Sequence, residues 1–440
     1  MKSIFVLAVV LMCSAGAATG PDAREFSLFP GAEHDVKWKP WTPRAEISPK
    51  FSIDEHGGRN GGRALRIESR GIAEVGGWQC TLNRIQPGRT YRFTAWYRGE
   101  RIANQPRSVI ARLAWLDATG RPFRRSAHPP EYPVATATES GWTRLELTVS
   151  APESATGLDV RLILGFAPDA ALWWGDVAVT EVAPPAARPV RVMTVHLRPD
   201  GAASHAESVE QFCRLVQEAA ADKPDVVCLP EGITLVGTGG PYVNAAEPVP
   251  GPTTARLGRL ARELGSYIVA GIYERAGPIV YDTAVLIGRD GALVGRYRKT
   301  HLPTEEWERG LTPGDSYPVF DTDIGKIALL ICWDARFPEP CRSMAAQGAK
   351  IIFLPTWGGS DLLARARAME NHVYLVSAGY DMRSLIVDPA GEVMAEATTA
   401  EPIVTREVFP DRKVYEFWVG DMGPRTWKER RGELPPAAPR

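Results

Sequence analysis

The stretch Ile327-Ala-Leu-Leu-Ile-Cys-Trp-Asp-Ala-Arg-Phe-Pro-Glu-Pro-Cys-Arg-Ser-Met-Ala-Ala-Gln-Gly-Ala-Lys-Ile-Ile-Phe-Leu354 decides the fold. Its first five residues form an apolar run of strand length, Ile327–Ile331. A helical segment follows near Pro338–Gln347, and a second apolar run, Ile351–Leu354, reads as another strand. Strand, helix and strand in succession are the unit from which layered α/β domains are built.

The same alternation extends in both directions. Upstream come strands at Val190–Leu197, Val226–Leu229, Tyr267–Tyr273, Thr283–Ile287 and Leu293–Tyr297, with helices at Ala206–Ala221 and Thr253–Leu264. Downstream lie a helix at Asp361–Asn371 and a strand at Tyr374–Ala378. The segments Leu286–Val294 and Ser384–Met394 carry Asp/Gly turns between apolar arms and read as hairpins. This domain is expected over residues 190–410.

Ahead of it, Ala183-Pro-Pro-Ala-Ala-Arg-Pro189 cannot join a central strand, because proline fixes φ and lacks a donor, so residues 183–189 are read as a linker. Residues 25–182 show short β-rich segments and almost no helical periodicity. Strands are expected at Arg63–Glu68, Thr90–Tyr97, Val109–Leu116, Trp142–Val149, Asp159–Gly165 and Ala171–Val179, stacked as two antiparallel sheets. Two domains also suit a chain of 440 residues.

The N-terminus has the form of a leader over residues 1–19: Lys2, an apolar run from Ile4 to Met12, then small residues at Ala15-Gly-Ala17. Export to the periplasm or medium is the expectation. A lipid anchor through Cys13 is the weaker reading, because Met12 stands where a lipobox needs a small residue. The tail, residues 411–440, mixes aromatics with charge from Tyr415 to Leu434 and ends in a Pro/Ala run; it reads as an arm over a partner subunit.

With 44% hydrophobic and 23% charged residues and a net charge of −1, the composition is globular and offers no field to gather nucleic acid. Once the leader is set aside, Cys80, Cys213, Cys228, Cys332 and Cys341 remain, an odd number, so at least one thiol stays unpaired. None is spaced as CxxC and the histidines form no HExxH, so neither a metal site nor any other cofactor is expected.

Three polar residues share one kind of position, just past an apolar strand: Glu231, Lys299 and Cys332. In α/β sheets that edge is where ligands bind. A thiolate can attack an acyl carbon, a carboxylate can carry the proton, and an ammonium can steady the oxyanion. Taken singly, each also has a plain structural reading: Cys332 as core packing, Glu231 as a solvated loop residue, Lys299 as part of a basic run.

The wording around these residues favours the chemistry. Cys228-Leu-Pro-Glu-Gly232, Tyr297-Arg-Lys-Thr-His-Leu-Pro303 and Ile331-Cys-Trp-Asp-Ala-Arg-Phe-Pro-Glu339 occur in this order. They resemble the three signature segments of the nitrilase, or carbon–nitrogen hydrolase, superfamily, and the resemblance covers about Arg191 to Arg406. It implies a four-layer α-β-β-α sandwich and a Glu-Lys-Cys triad carried onto Glu231, Lys299 and Cys332. The backbone N–H of Trp333 would assist Lys299 at the oxyanion.

The family often has a second glutamate after the lysine. Glu305, Glu306 and Glu308 are the candidates, with Glu306 favoured. Asp334, Arg336 and Glu339 are expected to lock the nucleophile turn through buried ion pairs, and His301, His372, Glu370 and Asn371 to be structural. The Cys-Trp-Asp-Ala-Arg-Phe-Pro-Glu string looks more like amidase and carbamoylase branches than like true nitrilases. The resemblance therefore implies a small-molecule amide or ureido substrate and a homo-oligomer, dimeric or larger.

Residues 25–182 resemble jelly-roll carbohydrate-binding and galactose-binding-like modules on Gln86–Trp96, Gly141–Leu145 and Trp174–Val177. That implies a glycan as a second partner, with Trp38, Trp41 and Trp78 as candidate stacking platforms. Two alternatives stand beside the amidase reading: a glycan-binding protein whose second domain is a non-catalytic scaffold, and a true nitrilase.

Overall fold

The computed structural model describes residues 25–28, 36–416 and 419–429. The leader, Cys13, Trp418 and the end of the arm lie outside them. The chain forms two compact units, one reaching to Pro185 and the other Ala186–Tyr415, with the tail beyond Tyr415 divided between them.

The first unit is built on two antiparallel sheets. One runs Lys50–Asp54, Ala64–Glu68, Ala171–Val182, Thr90–Glu100, Trp142–Ser150, Val134–Glu139, and Glu25–Ser27 pairs with Ala171–Val182. The other runs Lys39–Trp41, Val75–Leu82, Gly157–Gly165, Val109–Leu116. Alternation along Thr90–Glu100 sends Tyr91, Phe93, Ala95 and Tyr97 into the core that both sheets share. On the opposite face Trp96, Trp142 and Trp173 form a second apolar patch. It is roofed by guanidinium groups, Arg59 at 3.9 Å from the Trp96 ring and Arg98 at 4.6 Å from that of Trp173.

Val75–Leu82, absent from the sequence expectations, is a paired inner strand. Its Gly76-Gly77 pair looks like a turn signal, but Gly77 serves close packing, since a Cβ there would sit 2.4 Å from the Leu162 carbonyl oxygen. Trp78 on this strand is buried, 6% exposed and edge-on to Phe51, so it belongs to the core and is no exposed platform. Trp38 is partly buried against the same core, and Trp41 lies under the Arg161 guanidinium.

The second unit has two six-stranded sheets. The first is ordered Leu293–Arg298, Ile279–Ile287, Tyr267–Ala276, Val226–Cys228, Val190–Val195, Ile403–Val408; the second Val319–Thr322, Gly325–Leu329, Ile351–Pro355, Tyr374–Ala378, Ser384–Val387, Val393–Ala397. They pack face to face. Two hydroxyls stitch the seam: Thr194 donates to the Ser377 carbonyl at 2.6 Å and Ser384 to that of Val195 at 3.0 Å.

Helices His205–Glu218 and Pro252–Leu264 pair outside the first sheet, and Pro338–Ala346 and Asp361–Asn371 outside the second, which completes an α-β-β-α order. His205–Glu218 shows why: Val209, Phe212, Cys213 and Val216 recur at helical spacing and are buried, while the Ser204 hydroxyl accepts from the Glu207 N–H to cap the start. Among the described residues, no helix is long and apolar enough to cross a membrane.

Candidate active site

Each of the three expected residues is held at the end of a strand by backbone pairing that outlasts the strand. Past Val226–Cys228, the Leu229 N–H donates to Val269, the Gly271 N–H to Pro230 and the Ile233 N–H to Gly271, which clamps Glu231 against the neighbouring strand. The approach needs glycine at 271: a Cβ there would lie 2.5 Å from the Glu231 Cα. Gly271→Ala should therefore lower stability by about 1–3 kcal/mol and displace Glu231. Thermal denaturation and turnover rates would show both losses, whereas Gly71→Ala, with open space around it, should show neither.

Lys299 continues Leu293–Arg298, its N–H donating to the Asp282 carbonyl. Cys332 follows Gly325–Leu329 of the other sheet and opens a 3₁₀ turn, Cys332–Arg336, with φ of 42°. That left-handed conformation is strained for a non-glycine residue and aims the side chain out of the turn. The Trp333 N–H falls in the first turn, where donors have no intrahelical acceptor.

Asp334 fixes this turn. Fully buried, it accepts hydrogen bonds from the Ile331 N–H, the Tyr297 and Thr300 hydroxyls and the His301 N–H, at 2.8 to 3.2 Å. It thus ties the Cys332 turn to the segment that carries Lys299. Arg336 and Glu339 do not share the buried role expected of them. Both are exposed, Arg336 lies over the Trp333 ring, and neither forms an ion pair among the described residues. The helix Asp361–Asn371 supplies the missing lock: buried Arg367 donates to the Ala335 and Arg336 carbonyls and pairs with Glu370 at 2.7 Å. Asn371 braces that helix through the Arg367 carbonyl, and His301 stacks on Phe337 beside Asp334.

The side chains converge on the Lys299 ammonium, which is wholly buried. It donates to Glu231 at 2.9 Å, Asp282 at 3.1 Å and Glu306 at 2.7 Å. Of the three glutamates weighed from sequence, Glu306 is the one at the ammonium; Glu305 and Glu308 are exposed. Asp282 was missed. Its signal is a carboxylate inside the apolar strand Ile279–Ile287, where burial without a partner is prohibitive. The three carboxylates lie within 4.8 Å of one another, and the ammonium fills the centre of the cluster.

Burial pushes the Glu231 carboxyl up, but the Lys299 charge and the hydrogen bond from its ammonium outweigh it and hold it below the usual range. Burial, then the neighbouring Glu231 charge, push the Cys332 thiol up to about 12, against the opposing pull of Lys299. The resting sulfur is a thiol, and attack requires its proton to leave as the bond forms. Tyr380 donates to the Glu231 carbonyl at 2.7 Å, and the Cys332 sulfur sits 3.7 Å from the Gly358 carbonyl oxygen. From Cys332 opens a cavity of about 260 Å³, walled by Trp333, Ala335, Arg336, Gly358, Gly359, Ser360 and Leu363. Drug-sized ligands occupy pockets of about 300–1,000 Å³, so this one suits a small acyl group.

Residues 191–412 match the family model described as carbon-nitrogen hydrolase. The omega-amidase NIT2 of Homo sapiens is 32% identical over 228 residues, which cover 46% of this chain and 83% of that protein. A nitrilase of Pyrococcus abyssi is 36% identical over 225 residues, 47% of this chain and 82% of that one. Among solved structures, Nit3 of Saccharomyces cerevisiae, a member of branch 10 of the nitrilase superfamily, is 25% identical with a TM-score of 0.46, covering 51% of this chain and 91% of that chain.

Proposed function

The chain belongs to the carbon-nitrogen hydrolase family, and on that premise we propose that it cleaves a small non-peptide amide or N-carbamoyl group through a thioester on Cys332. One observation supports the reading: the Glu231 carboxylate is bonded to the buried Lys299 ammonium, the charges of both act on the Cys332 thiol, and that thiol opens on a small cavity. Glu231 takes the thiol proton as sulfur bonds to the acyl carbon, and Lys299 with the Trp333 N–H receives the charge on the carbonyl oxygen. The C–N bond then breaks as Glu231 passes the proton to the leaving amine. Water, deprotonated by Glu231, cleaves the thioester and the proton returns to sulfur. Glu306 orients the ammonium.

The names of the relatives, an omega-amidase and a nitrilase, bracket the substrate classes. Incubation with a panel of aliphatic amides, ureido acids and nitriles should release ammonia or amine from the first two classes. Glu231→Gln with an activated ester should carry the acyl mass on the peptide that contains Cys332. Ammonia from nitriles alone would move the reading to a true nitrilase; no adduct on any cysteine would end it.

We further propose that the enzyme is exported, that its C-terminal arm lies over a second subunit, and that its first domain takes a glycan. The last rests on an open polar hollow of about 550 Å³ lined by Lys50, Glu68, Arg70, Arg101 and Asp169.

A further inference from the structure

Three carboxylates and one ammonium would give the cluster two negative charges in excess. Asp282 and Glu231 are 1–2% exposed, and among the described residues no second cation pairs with any of the three acids. Uncompensated charge at such depth is costly, and acids placed there take up protons instead. Hydrogen bonding agrees: Asp282 Oδ1 and Glu231 Oε2 form a pair of buried acceptors without a donor, and Glu306 Oε2 is a third. One proton on the pair turns one of these acceptors into a donor and satisfies both.

Asp282 is the member to hold it. Glu231 has the closer ammonium, 2.9 Å against 3.1 Å. The groups facing Asp282 are Glu231 beyond Val226–Cys228, Lys299 beyond Leu293–Arg298, Glu306 from Thr304–Glu308 and the buried Tyr273 phenol from Tyr267–Ala276. Burial and then the Glu231 charge raise its carboxyl well above the usual range, in spite of Lys299.

We propose that Asp282 is a positioning residue working as a neutral acid, whose carboxyl keeps one proton and donates it to Glu231, so that Lys299 faces two ionised carboxylates, Glu231 and Glu306, in place of three. The donated bond sets the rotation of the Glu231 carboxylate toward the thiol, and the proton halves the excess negative charge of the cluster. The pair shares its titration, so the proton is lost in a step that belongs to both groups. This rests on the thioester reading only for its effect on rate.

Asp282→Asn is the discriminating variant, since an amide matches a protonated carboxyl in shape and donates a hydrogen bond. At neutral pH its kcat should fall at least about tenfold less than that of Asp282→Ala, in which Glu231 loses the donated bond. Its kcat should hold a plateau to higher pH than wild type, whose rate falls as Asp282 ionises. Infrared difference spectra, wild type minus variant at neutral pH, should show the carbonyl stretch of one protonated carboxyl, shifted in D₂O. A roughly hundredfold or greater loss in a folded variant would mean that the ionised carboxylate is required and would overturn the proposal. Absence of the protonated-carboxyl band would do so as well. The band is read without turnover, so it judges Asp282 even if the thioester mechanism fails, and that failure appears separately as wild type without an acyl adduct.

Discussion

Replacement of Cys332 by alanine should abolish turnover, with a loss on the order of 10⁴-fold or more, because the reaction loses the atom that bonds to the acyl carbon. The fold should survive, since the side chain opens on a cavity and its few contacts include a weak one to the Gly358 carbonyl. Cys332→Ser should bind substrate yet react very slowly: with a thiol already pushed up to about 12, the site does little to ionise a nucleophile in advance, and an alcohol is harder still to deprotonate. The double variant Glu231→Gln/Cys332→Ala should be no worse than Cys332→Ala alone, as groups that act as one unit fail together. Steady-state rates with intact-mass analysis decide it. Residual activity in Cys332→Ala without an adduct would refute the mechanism.

Lys299→Met should be the most damaging change to the protein as a whole. Loss of one oxyanion donor costs roughly a hundredfold in rate. Here the ammonium is also the counter-charge of Glu231 and Glu306 and a donor to Asp282, so its removal leaves buried acids unpaired, at about 3–5 kcal/mol. The pH dependence should invert. In wild type the carboxyl of Glu231 is depressed, so its contribution is present above the unfolded value and fades as pH falls through the folded one. Lys299 is raised, so its contribution is present below the unfolded value and fades as pH rises through the folded one. Without the cation the acids shift upward, and the variant should gain stability on acidification. Urea denaturation at mildly acidic and mildly alkaline pH separates the two; parallel slopes would count against Lys299 as counter-charge.

Much of this site was legible because its residues sit where chemistry and local pattern agree. Glu231, Lys299 and Cys332 each end an apolar strand, and the structure brings Glu231 and Lys299 to 2.9 Å. The Asp361–Asn371 helix matches its expected bounds, its buried positions, Ala364, Arg367, Ala368 and Asn371, recurring at helical spacing. What escaped depended on partners far away in sequence. Asp282 has meaning only once Lys299 is beside it, 17 residues on. Arg367 takes the role expected of Arg336, because a local string cannot say which guanidinium will be buried against the turn. Val75–Leu82 was hidden by glycines that look like a turn and act as a close contact between strands. Ile403–Val408 closes the first sheet by pairing with Val190–Val195, a register no local window contains.

The seam between the two sheets has a mechanical consequence. Glu231 and Lys299 follow strands of one sheet and Cys332 a strand of the other, so the geometry among the three is a measurement of how the sheets are aligned. Asp334 sets that gauge at the mouth, and the Thr194 and Ser384 hydroxyls set it from within. A slip of one ångström between reacting groups can cost about a hundredfold in rate. Tolerance to change should therefore follow distance from the seam more closely than distance from Cys332, and an inactive variant with an untouched site would be pointing at its alignment.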